Sequence, residues 1–306
     1  MSEYQYYEFQ AIDQPLTVKE MSQLRSYSTR ARITSTSFIN DYSWGDFKGN
    51  ENNLMAKYFD AFLYLANWGT HVVKLRLPKS LLNPKIAKLY CNGDMISLRE
   101  NSKNIILSFM AEDEHHDDAW IDPVGYLSSL ISIRSDLVRG DIRVLYLGWL
   151  LRVQNGEIEE NELEPPVPAG LGELHAPLQS FVDFLRVDFD LLQAAAITSA
   201  PMETSKFKRS DVQDWVSTLP VDEKDNLVTD GMLGSNITNM NKLLQRFHKE
   251  HVNNNHSAEE RPRRTVSQLL TLSEDLRKKR KLAEKKNVLK KRCDANIKKK
   301  RVERNI

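Results

Sequence analysis

The stretch Val72-Val73-Lys74-Leu75-Arg76-Leu77 sets Val73, Leu75 and Leu77 against Lys74 and Arg76. Alternation of this kind marks a strand with one face in a core and the other toward solvent. Strand signals recur on both sides of it. Residues 6–11 read as a strand, and residues 31–42, with Ile33, Phe38 and Ile39 among β-branched neighbours, read as a second. Residues 95–98 and 105–110 pair as a hairpin. Helix signals lie between them. Thr17-Val-Lys-Glu20 matches a capping box and opens a helix to residue 27. Residues 44–49 form a turn or loop. Leu54, Met55, Tyr58, Phe59, Phe62, Leu63 and Leu65 fall at helical spacing, which predicts a helix ending at Trp68-Gly69. A short helix follows around Ile86 and Leu89.

From Pro123 the chain becomes strongly apolar. Val124, Leu127, Leu130, Ile131 and Leu137 predict one helix, and Ile142, Leu145, Tyr146, Trp149 and Leu150 a second, paired as a helical hairpin across Arg139-Gly-Asp141. Five glutamates and three prolines then fill residues 155–171, a composition that favours a stiff, exposed connection. Leu178, Phe181, Val182, Leu185 and Leu191 begin a helical stretch. Asp211 is placed to cap a further helix with Trp215 and Leu219, and residues 223–250 suggest more helix, broken near Gly231 and Gly234. The expected fold class is α+β: a mixed domain over 1–155, an acidic Pro-rich hinge over 156–172, a helical region over 173–250, a polar linker over 251–264 and a basic helical tail over 265–306.

The chain has 306 residues and is 41% hydrophobic, enough for a sizeable core. No run approaches the roughly 18 apolar residues of a membrane span. The first residues carry no basic region followed by an apolar stretch, so a signal peptide is not expected. Two cysteines in unrelated contexts favour a reducing, cytoplasmic setting. Cys293 lies among Lys290, Lys291 and Arg292, which would favour its thiolate. The plainer reading is a small side chain on a charged helix.

Charge is divided along the chain. Residues 261–306 contain 18 Lys or Arg and five acids, a net of +13, while residues 1–260 hold 25 basic and 37 acidic residues, a net of −12. Asymmetry of this kind points to an anionic partner: nucleic acid, or an acidic protein surface of the same or another chain. The basic positions concerned are Arg277, Lys278, Lys279, Arg280, Lys281, Lys285, Lys286, Lys290, Lys291, Arg292, Lys298, Lys299, Lys300 and Arg301. Thr265 to Gln268 again fits a capping box, and no Pro or Gly follows it, so a continuous helix is expected. Its apolar residues, Val266, Leu269, Leu270, Leu272 and Leu276, make the first turns amphipathic. Lys279 and Lys286 then interrupt any long apolar seam, against a stable coiled coil. Without aromatics the tail offers no base stacking, and any contact with nucleic acid would be phosphate-directed. Lack of Trp and Phe argues against a membrane surface. A solvated charged helix without a partner is the plain alternative, and self-association of tail with acidic body a further one.

Catalytic signals are weaker. The sequence lacks a P-loop, a dinucleotide glycine motif and a nucleophile elbow, so no cofactor is expected. Arg30, Arg32, Trp44, Asp46 and Lys48 place both charges and an aromatic close together, a candidate cleft, and Asp46 with Lys48 is compatible with a metal-dependent hydrolase or nuclease. Trp44 and Phe47 read more plainly as anchors of a turn. Residues 112–118 are rich in acids and histidines, and His248, His251 and His256 are close in sequence, but neither set has a metal site's convergent spacing. No metal is expected.

Several blocks look familiar in their order. Tyr7-Glu-Phe-Gln-Ala-Ile-Asp-Gln-Pro-Leu-Thr17, Arg30-Ala-Arg-Ile-Thr34, Trp44-Gly-Asp-Phe-Lys-Gly49 and Tyr64-Leu-Ala-Asn-Trp-Gly69 resemble a family of uncharacterised bacterial cytoplasmic proteins. Leu127-Ser-Ser-Leu-Ile131, Tyr146-Leu-Gly-Trp-Leu-Leu151 and Glu162-Leu-Glu-Pro-Pro-Val-Pro168 fit the same family. The resemblance covers residues 5–230 and implies a cytoplasmic protein with a long charged helix and a further helical segment. It implies no reaction and no catalytic residue. The leading expectation is a non-enzymatic binding or scaffold protein whose tail meets nucleic acid or an acidic partner.

Overall fold

A computed structural model describes residues 3–112, 122–202, 208–232, 243, 246, 247 and 263–304, with backbone alone for 230, 231 and 292–304. The N-terminal half builds strands β1 (Gln5–Gln10), β2 (Arg32–Ile33), β3 (Ser37–Tyr42), β4 (Ala61–Ala66), β5 (His71–Pro78), β6 (Ile96–Glu100) and β7 (Asn104–Ala111). They form a seven-stranded sheet in the order β2-β3-β1-β4-β5-β7-β6, and each neighbouring pair is antiparallel. Helices α1 (Val18–Arg25), α2 (Glu51–Lys57) and α3 (Pro84–Lys88) lie between the strands. The expected capping box is present: Thr17 accepts from the Glu20 N–H, and the Glu20 carboxylate accepts from the Thr17 N–H at 2.8 Å. Asn50 and Asn83 cap α2 and α3 in the same sense.

Two sequence expectations are corrected in this half. Residues 31–42 form two strands, not one. Thr34 turns the chain, its hydroxyl accepting from the Thr36 and Ser37 N–H groups at 3.2 and 3.0 Å. The helix expected from Leu54 to Leu65 ends at Lys57, and Ala61–Ala66 is a central strand. That strand is buried on both faces, so it shows a continuous apolar run that periodicity does not separate from a helix. Gly69 closes the β4–β5 hairpin at φ +97° instead of ending a helix.

Register divides the sheet into two faces. Tyr6, Leu63, Leu65, Val73, Leu75, Leu77, Leu107 and Phe109 point to one face. That face is covered by α4 (Tyr126–Leu130), α5 (Ser132–Val138), α6 (Arg143–Gln154), α7 (Ala176–Phe184) and α8 (Phe189–Ala196). α5 lies on β5, α6 on β6 and α8, and α4 on α7. The apolar helices after Pro123 therefore pack on the sheet and on α7 and α8 more than as an isolated hairpin. Gly148 of α6 permits close approach, since a Cβ there would stand 2.5 Å from Ile96. On the other face Phe9, Phe38 and Phe62 meet Leu24 of α1 and Leu54 and Met55 of α2.

The boundary expected at residue 155 does not coincide with a break in this core. α7 and α8, placed by sequence in a separate helical region, share the core with the sheet; Phe181 meets Phe109 edge-on with centroids 5.0 Å apart. The segment 156–172 is not a freely exposed hinge either. Ile158, Glu164, Pro165, Gly170 and Leu171 are buried, and Pro166 O accepts from the Tyr90 hydroxyl at 2.7 Å. A sheet face must be covered by another layer, and the chain returns through this segment to supply it. Beyond α8 come α9 (Arg209–Thr218), whose Trp215 forms a small cluster with Leu219 and Phe247, and α10 (Val221–Met232). Asp211 lies three residues inside α9, its carboxylate accepting from the Lys208 N–H. The final element, α11 (Val266–Arg304), runs 39 residues, about 58 Å at 1.5 Å per residue. Among the described residues no helix is long and apolar enough to cross a membrane.

A buried ion cluster fixes the sheet to the helix layer. Asp60, 1% exposed, accepts from the N–H groups of Ile12 and Asp13 and from Arg76 at 2.6 Å. Arg134 of α5 reaches the same cluster, at 2.5 Å from Asp13 and 2.7 Å from the Arg76 carbonyl. Burial alone would raise the Asp60 carboxyl. Arg76, the two backbone donors and Arg134 outweigh it and hold the carboxyl below its ordinary range. A carboxyl with a depressed folded pKa contributes stability above its unfolded pKa and loses it as pH falls through the folded one. Asp60→Ala leaves Arg76 without its carboxylate and Arg134 with Asp13 as its one acid, and is expected to cost about 3–5 kcal/mol, read from the urea midpoint at neutral pH. The difference between wild type and Asp60→Ala should narrow as the pH falls below the usual carboxylate range.

Candidate functional site

The structure gives the basic tail two parts. The chain entering α11 is tied to the acidic segment that precedes α7. Glu164 accepts both guanidinium arms of Arg264, each at 2.9 Å, and also the Tyr146 hydroxyl. Arg264 donates further to the Ala194 carbonyl. Backbone bonds run antiparallel beside this pair, from Glu164 N to Arg264 O, Val266 N to Glu162 O and Ser267 N to Glu160 O. Burial, with the Glu164 charge beside it, pushes the Tyr146 hydroxyl well above its ordinary pKa, so it remains a neutral donor. Thr265 then caps α11: its N–H meets the Gln268 side chain at 3.0 Å, and its hydroxyl accepts from the Gln268 N–H.

The first turns of α11 lie on α8. Val266, Leu269 and Ser273 are buried, with Leu270, Leu272 and Leu276 packed beside them. Arg277 reaches Asp188 at 2.5 Å, and Arg280 reaches Asp190 at 2.6 Å. Asp190 is 2% exposed, and its hydrogen bonds from Arg280, with those from Arg277, hold its carboxyl below the usual range. Two of the fourteen basic positions proposed from sequence thus serve an internal acidic partner. Lys278 lies near Glu274 and Asp275 on its own helix. Every residue from Lys281 to Lys291 is exposed, including Lys281, Lys285, Lys286, Lys290 and Lys291 and the apolar Leu282, Val288 and Leu289. The side chains of Arg292, Lys298, Lys299, Lys300 and Arg301 fall outside the described residues, though the helix backbone continues through them.

The five residues read as a cleft are not brought together. Arg32 shares the helix-covered face with Ile39 and Glu8 through strand register, while Asp46 accepts from Gln5 Nε2, on the opposite face, at 3.2 Å. Arg30 and Lys48 are exposed, and Trp44 is 75% exposed, so it does not anchor the turn against the core. Phe47 does, stacking obliquely on Tyr7 with centroids 5.1 Å apart. Residues 113–118 and His248, His251 and His256 lie outside the described residues. Among the described residues no cluster of three or more potential metal ligands occurs. Cys91 is buried, which pushes its thiol up to about 12 and leaves it a poor nucleophile.

One hollow was not legible in advance. On the face away from α8, two cross-strand ranks form its floor: Phe62, Lys74 and Ser108, then Tyr7, Tyr64, Val72 and Met110. Phe47, Gly49 and Glu51 form its wall, around a cavity of about 340 Å³. Lys74, read from sequence as solvent-facing, is 6% exposed and bonded to Asn52 at 2.9 Å and Glu51 at 3.3 Å. Burial lowers its ammonium pKa, and Glu51 works in the opposite direction. Tyr7 and Tyr64 both donate to Gln5 Oε1, at 2.7 and 3.0 Å. The only sequence signal for this hollow was the alternation around Lys74. The walls come from the loop and helix between β3 and β4.

Comparison of the chain with protein families, curated proteins and solved structures finds no match. Asp190 is expected to govern how α11 sits. Asp190→Asn should leave the sheet intact while speeding hydrogen exchange severalfold across residues 266–280, because Arg277 and Arg280 lose their shared anchor. Unchanged exchange in that segment would show that apolar contacts alone hold the helix.

Proposed function

We propose that the protein is a non-enzymatic binding or scaffold protein that presents the part of α11 beyond Arg280 to nucleic acid. The observation that carries this reading is the division of α11. Its first turns are buried and their arginines paired, whereas Lys281 to Lys291 are exposed. Residues 281–304 hold eleven Lys or Arg against Glu284, Asp294 and Glu303. The acids of α8 that could draw the helix down are already matched with Arg277 and Arg280. A phosphate backbone supplies a regular line of charge to such a helix, and displacement of condensed counterions favours the contact. No aromatic stands in the tail, so contacts would fall on phosphates and discriminate little between sequences. An acidic protein surface is the competing partner, and the anchored first turns already show what such a contact looks like.

The test is binding to duplex and single-stranded DNA and RNA across a salt series. The full chain should bind duplex with an affinity that falls steeply with salt. Replacing Lys285, Lys286, Lys290 and Lys291 with Gln should flatten the log–log salt slope by roughly 0.9 for each duplex phosphate that is no longer neutralised. Removal of residues 281–306 should abolish binding. Failure of the full chain to bind any of these at low ionic strength would exclude nucleic acid and leave the acidic protein partner.

A further inference from the structure

We propose that the hollow on the second face of the sheet binds a neutral planar heterocycle with an N–H beside a carbonyl, the edge shared by pyrimidine bases and lactams. The floor argues for the ring. Tyr7 and Tyr64 lie with centroids 4.8 Å apart and Phe47 stands 5.1 Å from Tyr7, so π-faces and ring edges line one side of the cavity. Its volume, about 340 Å³, falls at the lower end of the size typical of small-molecule sites.

Lys74 and Glu51 argue for the edge. A buried ammonium on a sheet face is costly unless its donors are used. Glu51 and Asn52 take two of its three hydrogens and the ammonium stands over the Phe62 ring at 5.5 Å, so a ligand carbonyl would compete for the third hydrogen only with that weaker ring contact. Glu51 contacts Lys74 through Oε1 and has its other oxygen for a ligand N–H. Lys74 Nζ lies 3.3 Å from Glu51 Oε1, so the ammonium and the carboxylate stand side by side at the hollow, as the adjacent N–H and carbonyl of one ring require. The charge balance argues for neutrality. Lys74 is already compensated by Glu51, and Asp46 acts electrostatically on Tyr7 and Tyr64, so a second carboxylate would be repelled. Glu51 itself is half-exposed and free to adjust to the ligand.

The site lies on the opposite face from α8 and α11, and a nucleoside carries no phosphate, so its binding is independent of the tail. The experiment is calorimetric titration of the full chain with uridine and with its analogue methylated on the ring N–H. Uridine should bind saturably, and the methylated analogue about tenfold more weakly, the loss expected for one hydrogen bond to a charged group. Lys74→Met should weaken uridine by a similar factor. Ser108→Leu, which fills the floor beside Lys74 without removing a buried charge, should abolish binding of both, with thermal melting confirming the fold. Should Lys74→Met not fold, Ser108→Leu and the pair of nucleosides decide alone. No saturable binding of uridine, equal affinity for the two nucleosides, or binding unaffected by Ser108→Leu would overturn the proposal.

Discussion

The helix-covered face of the sheet is the constraint on which the rest depends. Leu63, Val73, Leu75, Leu107 and Phe109 are each at most 1% exposed, and they lie on strands that neither end of the sheet can shield. Three helices close in sequence, α4 to α6, cover only part of this surface. The chain must therefore travel through residues 156–172 and bring back α7 and α8. That return explains why Ile158, Glu164, Pro165 and Leu171 are buried in a segment most of whose other glutamates stay in solvent. It also explains α6, which is apolar nearly all round because it has the sheet on one side and α8 on another. α8 then carries acids at its outer edge, and the first turns of α11 lie there. Each layer sets the demand that the next one meets.

The second face follows a different logic. α1 and α2 cover β1, β3 and β4 on that side, and α2 reaches on to β7, where Ile106 is buried, while Lys74 and Ser108 lie beside this covered part. Lys74 sits at the margin between the covered and uncovered parts. The same margin sets Phe62 and Ser108 beside it, through register alone. A lysine at this position is neither a solvated surface residue nor a core residue. Its cost is limited by Glu51 and Asn52, which reach it from the first turn of α2, and that turn is fixed by the Asn50 cap. The hollow thus lies where the first turn of α2 and the loop before it stand over the sheet.

Much of the strand and helix order was legible because local chemistry and tertiary need agreed. The capping boxes at Thr17 and Thr265 and the alternation at Val72–Leu77 each correspond to an element. What failed to show was whatever depended on distant neighbours. Ala61–Ala66 looked helical because a strand buried on both faces has no period of two to display. Lys74 and Arg76 looked solvated because Glu51, Asn52 and Asp60 are not in their local window. The acids that hold the tail, Glu164, Asp188 and Asp190, lie 87 or more residues from their arginines. Of the proposed basic positions, sequence could not separate Arg277 and Arg280 from the lysines after them, since all share the same charge.

That separation changes what the net charges mean. A body of −12 and a tail of +13 suggest simple mutual neutralisation, with the whole tail lying on the whole body. Among the described residues the geometry does not distribute charge in that way. Neutralisation is local: Arg264 on Glu164, Arg277 on Asp188 and Asp190, Arg280 on Asp190. Arginine suits these positions because its planar fork engages a carboxylate at two points. Beyond Arg280 the composition shifts toward lysine, a hydrated point charge better matched to a screened, loosely ordered anion than to a buried pair. A rigid helix from Lys281 to Arg304 spans about 36 Å, several Debye lengths at physiological salt, so acids at its root exert little hold on its far end. The exposed charge among the described side chains is therefore that of Lys281 to Lys291, and Glu164, Asp188 and Asp190 fix the direction in which that stretch leaves the body.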